Sequence, residues 1–370
     1  MVSLARLVSG QPSAARVKRD GRKVIQKPEE LEMYHPRFKG NHYEIGLKYG
    51  GLLRKNNIDM FGLTGLDDFQ RQYGIQSERI LRKHFPEACE EIRGIAEGVG
   101  VSYERFSAWL MCISVCLEIP GCSMIAFKKD GKVVFGRNSD LPPIFRKIST
   151  SALYAPSNGY PFIANSSAFV SAEDGINENG LAVGMTYVWA KELKAGFSSM
   201  FFVRYILEKC ATAEEGLKAI QNIPIGGAYH LVLADKNGIV HVECSPQTIK
   251  INRGNLAVAT NHFVSEEMKR YEEPKNLYFS NERYKTGYDA LRKDAHEVAV
   301  DYAKDLLSGK LGFMCQYDKK VNFDTVWSSV FDISNNKIYR AEGNPSRTEF
   351  HEDKRLKLEG LKEKNRIQAK

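Results

Sequence analysis

The dipeptide Pro120-Gly121 divides this chain into two stretches with different hydrophobic periods, and that change limits the folds open to it. Before it, from about Tyr34 to Leu117, apolar residues recur at intervals of three and four over His42–Lys55, Ile80–Gly98 and Tyr103–Leu117. That spacing belongs to helices with one buried face. No strand signal is read there. Proline removes a backbone donor and glycine loosens the chain, so helix formation stops at Pro120-Gly121.

After it come short strands joined by turn residues. Cys122–Phe127 and Lys132–Gly136 flank Lys129-Asp130-Gly131, and Phe169–Glu173 and Leu181–Val188 flank Asn177-Glu178-Asn179-Gly180. His230–Ala234 and Val240–Cys244 flank Lys236-Asn237-Gly238, and Thr248–Asn252 and Leu256–Thr260 flank Arg253-Gly254. Val326–Ile333 and Lys337–Ala341 flank Asn335-Asn336. Asn, Asp and Gly tolerate the positive φ that tight hairpins need. Two helical blocks, Ser198–Ile223 and Asn281–Leu307, interrupt the strands, and Thr212 with Glu215 reads as a capping box for a second helix in the first block. Strands grouped with strands and helices in pairs predict an α+β fold of two stacked antiparallel sheets with helices outside.

The length of 370 residues, 43% hydrophobic, supports one large core or two ordinary ones. No stretch approaches the ~20 uninterrupted apolar residues of a membrane span. Residues 1–33 read as a basic, loosely held leader without the apolar h-region of a secretory signal. Residues 34–121 form the helical segment, 122–350 the catalytic core and 351–370 a charged tail. The net charge of +8 is spread along the chain rather than gathered in a stripe, which argues against a nucleic-acid module. Seven cysteines, an odd number without finger-like spacing, fit a reducing cytoplasm. Cys112 and Cys116, four apart, read as buried small hydrophobes rather than metal ligands. No metal and no cofactor is called for.

Cys122 opens the first strand of the β-rich part. A cut after Gly121 would give it a free α-amine, whose pKa of about 8 lets it accept the thiol proton, so that one residue supplies nucleophile and base. Arg137 and Asp140 close the adjacent hairpin strand: Arg137 can lower the thiol pKa and Asp140 can hold the amine. The same thiol can make the cut, by attack on the Gly121 carbonyl and an N-to-S shift.

At these residues the chain resembles the penicillin acyltransferase and choloylglycine hydrolase branch of the N-terminal-nucleophile hydrolases. The resemblance runs through Gly40-Asn41-His42-Tyr43-Glu44-Ile45-Gly46, Glu91-Ile92-Arg93-Gly94-Ile95-Ala96, Gly121-Cys122-Ser123, Val330-Phe331-Asp332 and Gly343-Asn344-Pro345, covering about Phe38 to Phe350. It implies a four-layered αββα sandwich, cleavage between Gly121 and Cys122, and an N-terminal segment that stays bound as a small subunit. It implies an N-acyl amide or acyl thioester as substrate, with Cys122 as nucleophile and Asp140 near its amine. Arg137 matches the choloylglycine hydrolases rather than the acyltransferase, and Val321-Asn322-Phe323-Asp324 departs from the acyltransferase pattern. Asn261, in Ala259-Thr260-Asn261-His262, matches an oxyanion donor, with the backbone N–H of Tyr187 or Thr186 as the second. Alternatives stay open: Asn261 as a loop cap, His262 as a neighbour rather than a base, and Arg283 as an exposed helical arginine rather than a residue at the site. Hydrolysis and acyl transfer share every one of these residues, an inert binding protein of the same fold is the competing class, and dimerisation of the two-subunit unit is left open.

Overall fold

The computed structural model describes residues 33–58, 65–113, 115, 121–293, 299–318, 320 and 322–357. The leader, Pro120, Cys116 and most of the tail, on which several sequence expectations fall, lie outside the described residues. Among the described residues four helices precede Gly121: α1 (His42–Lys55), α2 (Asp68–His84), α3 (Pro86–Val99) and α4 (Tyr103–Cys112). Their starts are written locally. Asn41 accepts from the Glu44 N–H while the Glu44 carboxylate accepts from the Asn41 N–H, and Asp67 and Gln70 repeat the arrangement for α2.

The strands form two sheets. The eight-stranded one runs β1 (Arg37–Gly40), β4 (Thr150–Pro156), β5 (Phe162–Ser166), β6 (Asp174–Asn177), β7 (Ala182–Val188), β8 (Ala228–Asp235), β9 (Gly238–Cys244) and β10 (Ile249–Gly254). The six-stranded one runs β11 (Leu256–Ala259), β2 (Cys122–Lys129), β3 (Lys132–Leu141), β12 (Asp324–Asp332), β13 (Lys337–Ala341) and β14 (His351–Glu352). Alternation along the strands shows how they stack. Met124, Ala126, Val133 and Phe135 meet Ile163, Ile176, Ala182 and Val232 of the other sheet. Their neighbours Ile125, Phe127 and Val134 face the opposite way, onto α8 (Ser280–Leu291) and α9 (Ala299–Leu307). The outer face of the large sheet is covered by α5 (Ser199–Lys209), α6 (Ala213–Asn222) and the N-terminal helices, in one continuous core. The expected αββα layering is the observed one.

Several local expectations are corrected. The segment before Gly121 does contain a strand: β1 pairs parallel with β4, adding a residue from the N-terminal segment to each register position of the large sheet's edge. Four residues are too few to show a period of two. The stretch Ile80–Gly98 is two helices, because Pro86 starts α3 after a break at Phe85. Phe169–Glu173 is not a strand. Phe169 takes φ +57°, and the strand begins only at Asp174. Arg253-Gly254 does not turn a hairpin, since β10 ends the large sheet and β11 begins the small one, with Asn255 accepting from the Lys128 N–H at 2.7 Å as the chain crosses over. At α6, Thr212 accepts from Glu215 N–H, but the Glu215 carboxylate takes the Ala211 N–H, so the box is not reciprocal.

The N-terminal helices cross at glycines. A Cβ on Gly46 of α1 would lie 2.0 Å from the Glu91 carbonyl oxygen of α3, and one on Gly94 would lie 2.2 Å from that of Tyr43. Backbone occupies the place of the missing side chain, so neither helix can yield by a rotamer change. Gly94→Ala is therefore expected to destabilise the protein by about 3 kcal/mol or more, read as a lower urea midpoint against the wild type, whereas Gly51→Ala, which meets open space within α1, should stabilise it by up to about 1 kcal/mol.

Candidate active site

The β2–β3 hairpin turns at Asp130-Gly131, both at positive φ, and its register brings Ser139 opposite Cys122 and Arg137 opposite Met124. Cys122 and Arg137 thus share the face that looks into the space between the sheets. The Arg137 Nη2 donates to Cys122 Sγ at 2.8 Å. The guanidinium is fully buried and is held by Nε to the Met185 carbonyl at 2.9 Å and Nη2 to Glu173 Oε2 at 3.1 Å, with Asp174 at 4.0 Å from Nη1. Glu173 is anchored in turn by Ser139 Oγ, Ser167 Oγ and the Ser167 N–H.

The Gly121–Cys122 peptide is gripped at both ends. The Asp140 N–H donates to the Gly121 carbonyl at 2.9 Å, and the Cys122 N–H donates to Asn261 Oδ1 at 3.0 Å. Arg283 Nη2 donates to the same Asn261 oxygen at 2.7 Å, while its Nη1 reaches the Cys122 carbonyl at 2.5 Å and Ser123 Oγ at 2.9 Å. Asn261 Nδ2 donates to the Tyr187 carbonyl at 2.8 Å. A Cβ on Gly121 would stand 3.0 Å from Arg283 Nη2 and 3.4 Å from Phe323, so the space beside Gly121 Cα is closed by the site itself.

Burial dominates the titration of the thiol and pushes it up to about 12; Arg137 opposes this, the charges of Glu173 and Asp140 add to it, and the Asp140 backbone N–H lowers it. Burial also raises the Asp140 carboxyl, against Arg283 and the hydroxyls of Thr325 and Tyr317, which donate to it at 2.6 and 2.8 Å. His262 is pulled down to about 4, first by burial and then by Arg283.

Of the residues singled out in the sequence, the structure brings Gly121, Cys122, Arg137, Asp140, Asn261, Tyr187 and Arg283 to one place. The Asp140 carboxylate is not on the Cys122 nitrogen, which is taken by Asn261; its own contacts are Tyr317 and Thr325. Arg283 is fully buried and touches the Cys122 carbonyl, so its reading as an exposed helical arginine is corrected. Thr186 and His262 lie one step behind. Thr186 Oγ1 donates to the Thr260 carbonyl, and His262 Nδ1 pairs with Ser280 Oγ at 2.7 Å, a hydroxyl that accepts the Asn261 N–H at 2.7 Å. Both therefore steady the Thr260–His262 loop. Glu173 was missed by sequence reasoning, though adjacent acids in the otherwise small and apolar run Ser166–Ile176 mark a place where charge must be compensated. Tyr317 and Thr325 carried no such signal. Among the described residues no cluster of His, Cys, Asp or Glu is arranged to hold a metal, the described cysteines are free and buried, and no helix is long and apolar enough to cross a membrane.

Two stacked sheets between helical layers are the layering of the N-terminal-nucleophile hydrolase fold. Within that class, the sequence model of the acyl-coenzyme A:6-aminopenicillanic acid acyl-transferase family matches residues 126–347, and the chain belongs to that family. Among solved structures it is similar to penicillin V acylase from Agrobacterium tumefaciens, at 16% identity over 65% of this chain and 89% of that one, with a TM-score of 0.43. It is similar also to a cysteine-to-alanine mutant of conjugated bile acid hydrolase from Clostridium perfringens, at 14% identity over 64% and 98%, again with a TM-score of 0.43. None of the curated proteins matches it.

Because the Glu173 carboxylate raises the Cys122 pKa, Glu173→Gln is expected to move the alkylation profile of Cys122, followed by peptide mass spectrometry, to lower pH. An upward shift would mean that the loss of Arg137's anchor outweighs the loss of charge.

Proposed function

We propose that this protein cuts itself between Gly121 and Cys122 and then works as an N-terminal cysteine amidohydrolase or acyltransferase on a small N-acyl compound. The observation that carries the reading is the pair of contacts on one residue: a buried cation on the Cys122 sulfur and a side-chain oxygen on its nitrogen.

In the cut, Sγ attacks the Gly121 carbonyl carbon, whose oxygen is polarised by the Asp140 N–H. The C–N bond breaks, the nitrogen takes the thiol proton, and a thioester is left that water hydrolyses to the Gly121 carboxylate and the free thiol. The new α-amine is then beside Sγ with Asn261 Oδ1 as its acceptor. An amine of pKa about 8 can take the thiol proton near neutrality, and Arg137 stabilises the thiolate so formed. Substrate repeats the chemistry: Sγ attacks the acyl carbonyl, the amine leaves with a proton, and water or an acceptor amine resolves the acyl-Cys122 thioester. Asn261, with the Tyr187 backbone, is the donor assigned to the tetrahedral oxygen, which requires its amide to leave the Tyr187 carbonyl when substrate binds.

Hydrolysis and transfer differ in what resolves the thioester. Arg137 favours the hydrolase reading, and membership of the acyltransferase family supports transfer from an acyl-coenzyme A donor. Buried free thiols fit the reducing cytoplasm.

Intact mass of the purified protein is expected to show pieces of about one third and two thirds of the chain, and Cys122→Ala a single uncut chain. An uncut wild type, or a Cys122→Ala chain that still splits, would sink the mechanism. Asn261→Ala is expected to lower kcat by about 10²–10³ with a smaller change in KM, measured on acyl amides and acyl-coenzyme A donors screened by mass spectrometry.

A further inference from the structure

Two sequence motifs take no part in this chemistry, Gly40–Gly46 and Glu91–Ala96, and both lead into one buried cluster. Glu91 of α3 accepts two bonds from Arg204 of α5, from Nη1 at 3.1 Å and Nη2 at 2.7 Å. Glu208, one turn further along α5, accepts from Nε and Nη2 of the same guanidinium at 3.3 and 3.1 Å and pairs with His42 Nε2 at 2.8 Å. Lys209 extends the cluster to Glu87 at 2.8 Å. Arg204, Glu91 and Glu208 are fully buried, and the guanidinium lies 4.2 Å from the centre of the Tyr154 ring. Burial works to raise the Glu208 carboxyl, but the bond from His42 and the charges of Arg204, His42 and Lys209 hold it down to about 2. The pairs His42–Glu208, Glu91–Arg204 and Glu87–Lys209 all join a residue before Gly121 to one after it. Removing Glu91 or Glu208 leaves Arg204 charged in a place water does not reach.

The same N-terminal segment lines a cleft near the candidate active site. Phe69 and Gln70, at the start of α2, and Val115 face Tyr187, Trp189 and Leu193 across a space of about 160 Å³. The Tyr187 carbonyl is bonded to Asn261, which is bonded to the Cys122 nitrogen, so the cleft lies two hydrogen bonds from the sulfur's own residue.

We propose that, once the chain is cut, the Glu91–Arg204–Glu208–His42 cluster locks the N-terminal segment in place, and that the locked segment supplies through Phe69 one wall of the pocket for an apolar part of the substrate. The proposal rests on the cleavage reading above. Proteins divided at Gly121 are held together by contacts that no longer have the chain's help, and a cleft shared by both pieces keeps its shape only while they stay docked.

The test takes the processed wild type and processed Glu91→Gln, which keeps the shape of the side chain but turns an amide N–H₂ toward the guanidinium. Size-exclusion chromatography in rising urea is expected to show the two wild-type pieces co-eluting beyond the point at which those of Glu91→Gln separate. In the uncut Cys122→Ala/Glu91→Gln chain, helical structure should persist to higher urea than that separation. If separation and unfolding coincide, or if Glu91→Gln separates no earlier than the wild type, the lock is overturned. For the wall, Phe69→Ala should cut itself normally, yet its preference for an N-(phenylalkanoyl)glycine over N-acetylglycine, read as released glycine, should fall about tenfold. An unchanged preference, or none in the wild type, overturns the wall. An uncut wild type would instead overturn the cleavage reading, and intact mass reports that separately.

Discussion

The Arg137 guanidinium is the constraint around which the middle of this molecule is arranged. A fully buried cation is costly unless opposite charge and acceptors surround it. Here Glu173, Asp174, the Met185 carbonyl and the Cys122 sulfur do so, drawn from β2, β7 and the approach to β6. The two sheets must therefore stack in one registry, since Arg137 belongs to one of them and its acceptors largely to the other. Burial and the nearby carboxylates push the Cys122 thiol pKa up, and the cation opposes them. Small changes at the cysteine's nitrogen can tip that balance.

A second arrangement holds the Gly121–Cys122 peptide from the other side. Arg283 joins the Cys122 carbonyl, Ser123 and Asn261, and its Nε donates to the Tyr278 carbonyl at 2.9 Å. Tyr278 and Phe279 both take positive φ, a conformation that costs non-glycine residues energy and persists only where surroundings impose it. The Tyr278 ring stacks on Phe323 at 3.9 Å, and Phe323 meets Tyr317, whose hydroxyl donates to Asp140. Arg283 and Asp140 are thereby linked by rings as well as by charge, and the peptide between Gly121 and Cys122 is enclosed by groups whose positions depend on one another. The loop carrying Asn261 is steadied from behind by Ser280, Thr186 and His230, the last through the His262 carbonyl at 2.9 Å.

Much of this was legible in the amino-acid sequence, and the reasons are local. Period and turn chemistry disclosed α1, the β2–β3, β8–β9 and β12–β13 hairpins and the change of character at Gly121, because each is decided by neighbours in the chain. Cys122, Arg137 and Asp140 could be named because a hairpin of known turn returns one strand's end beside the other's start, and Asn261 because the resemblance points to it. What failed was set by distant partners. β1 is a strand only because β4 lies beside it, β10 and β11 part company because different sheets claim them, and Phe169–Glu173 leaves the strand to bring Glu173 under Arg137. Arg283 resembles an arginine near the choloylglycine hydrolase site, but its place on a polar helix left an exposed reading open until packing against β2 and β11 buried it. By itself the sequence determined the layered fold class and the cysteine that opens its central strand, since hydrophobic period and turns are short-range properties. Only the tertiary structure decided which charges surround that cysteine, because compensation of a buried charge depends on which elements meet, and that is settled by packing across the whole chain.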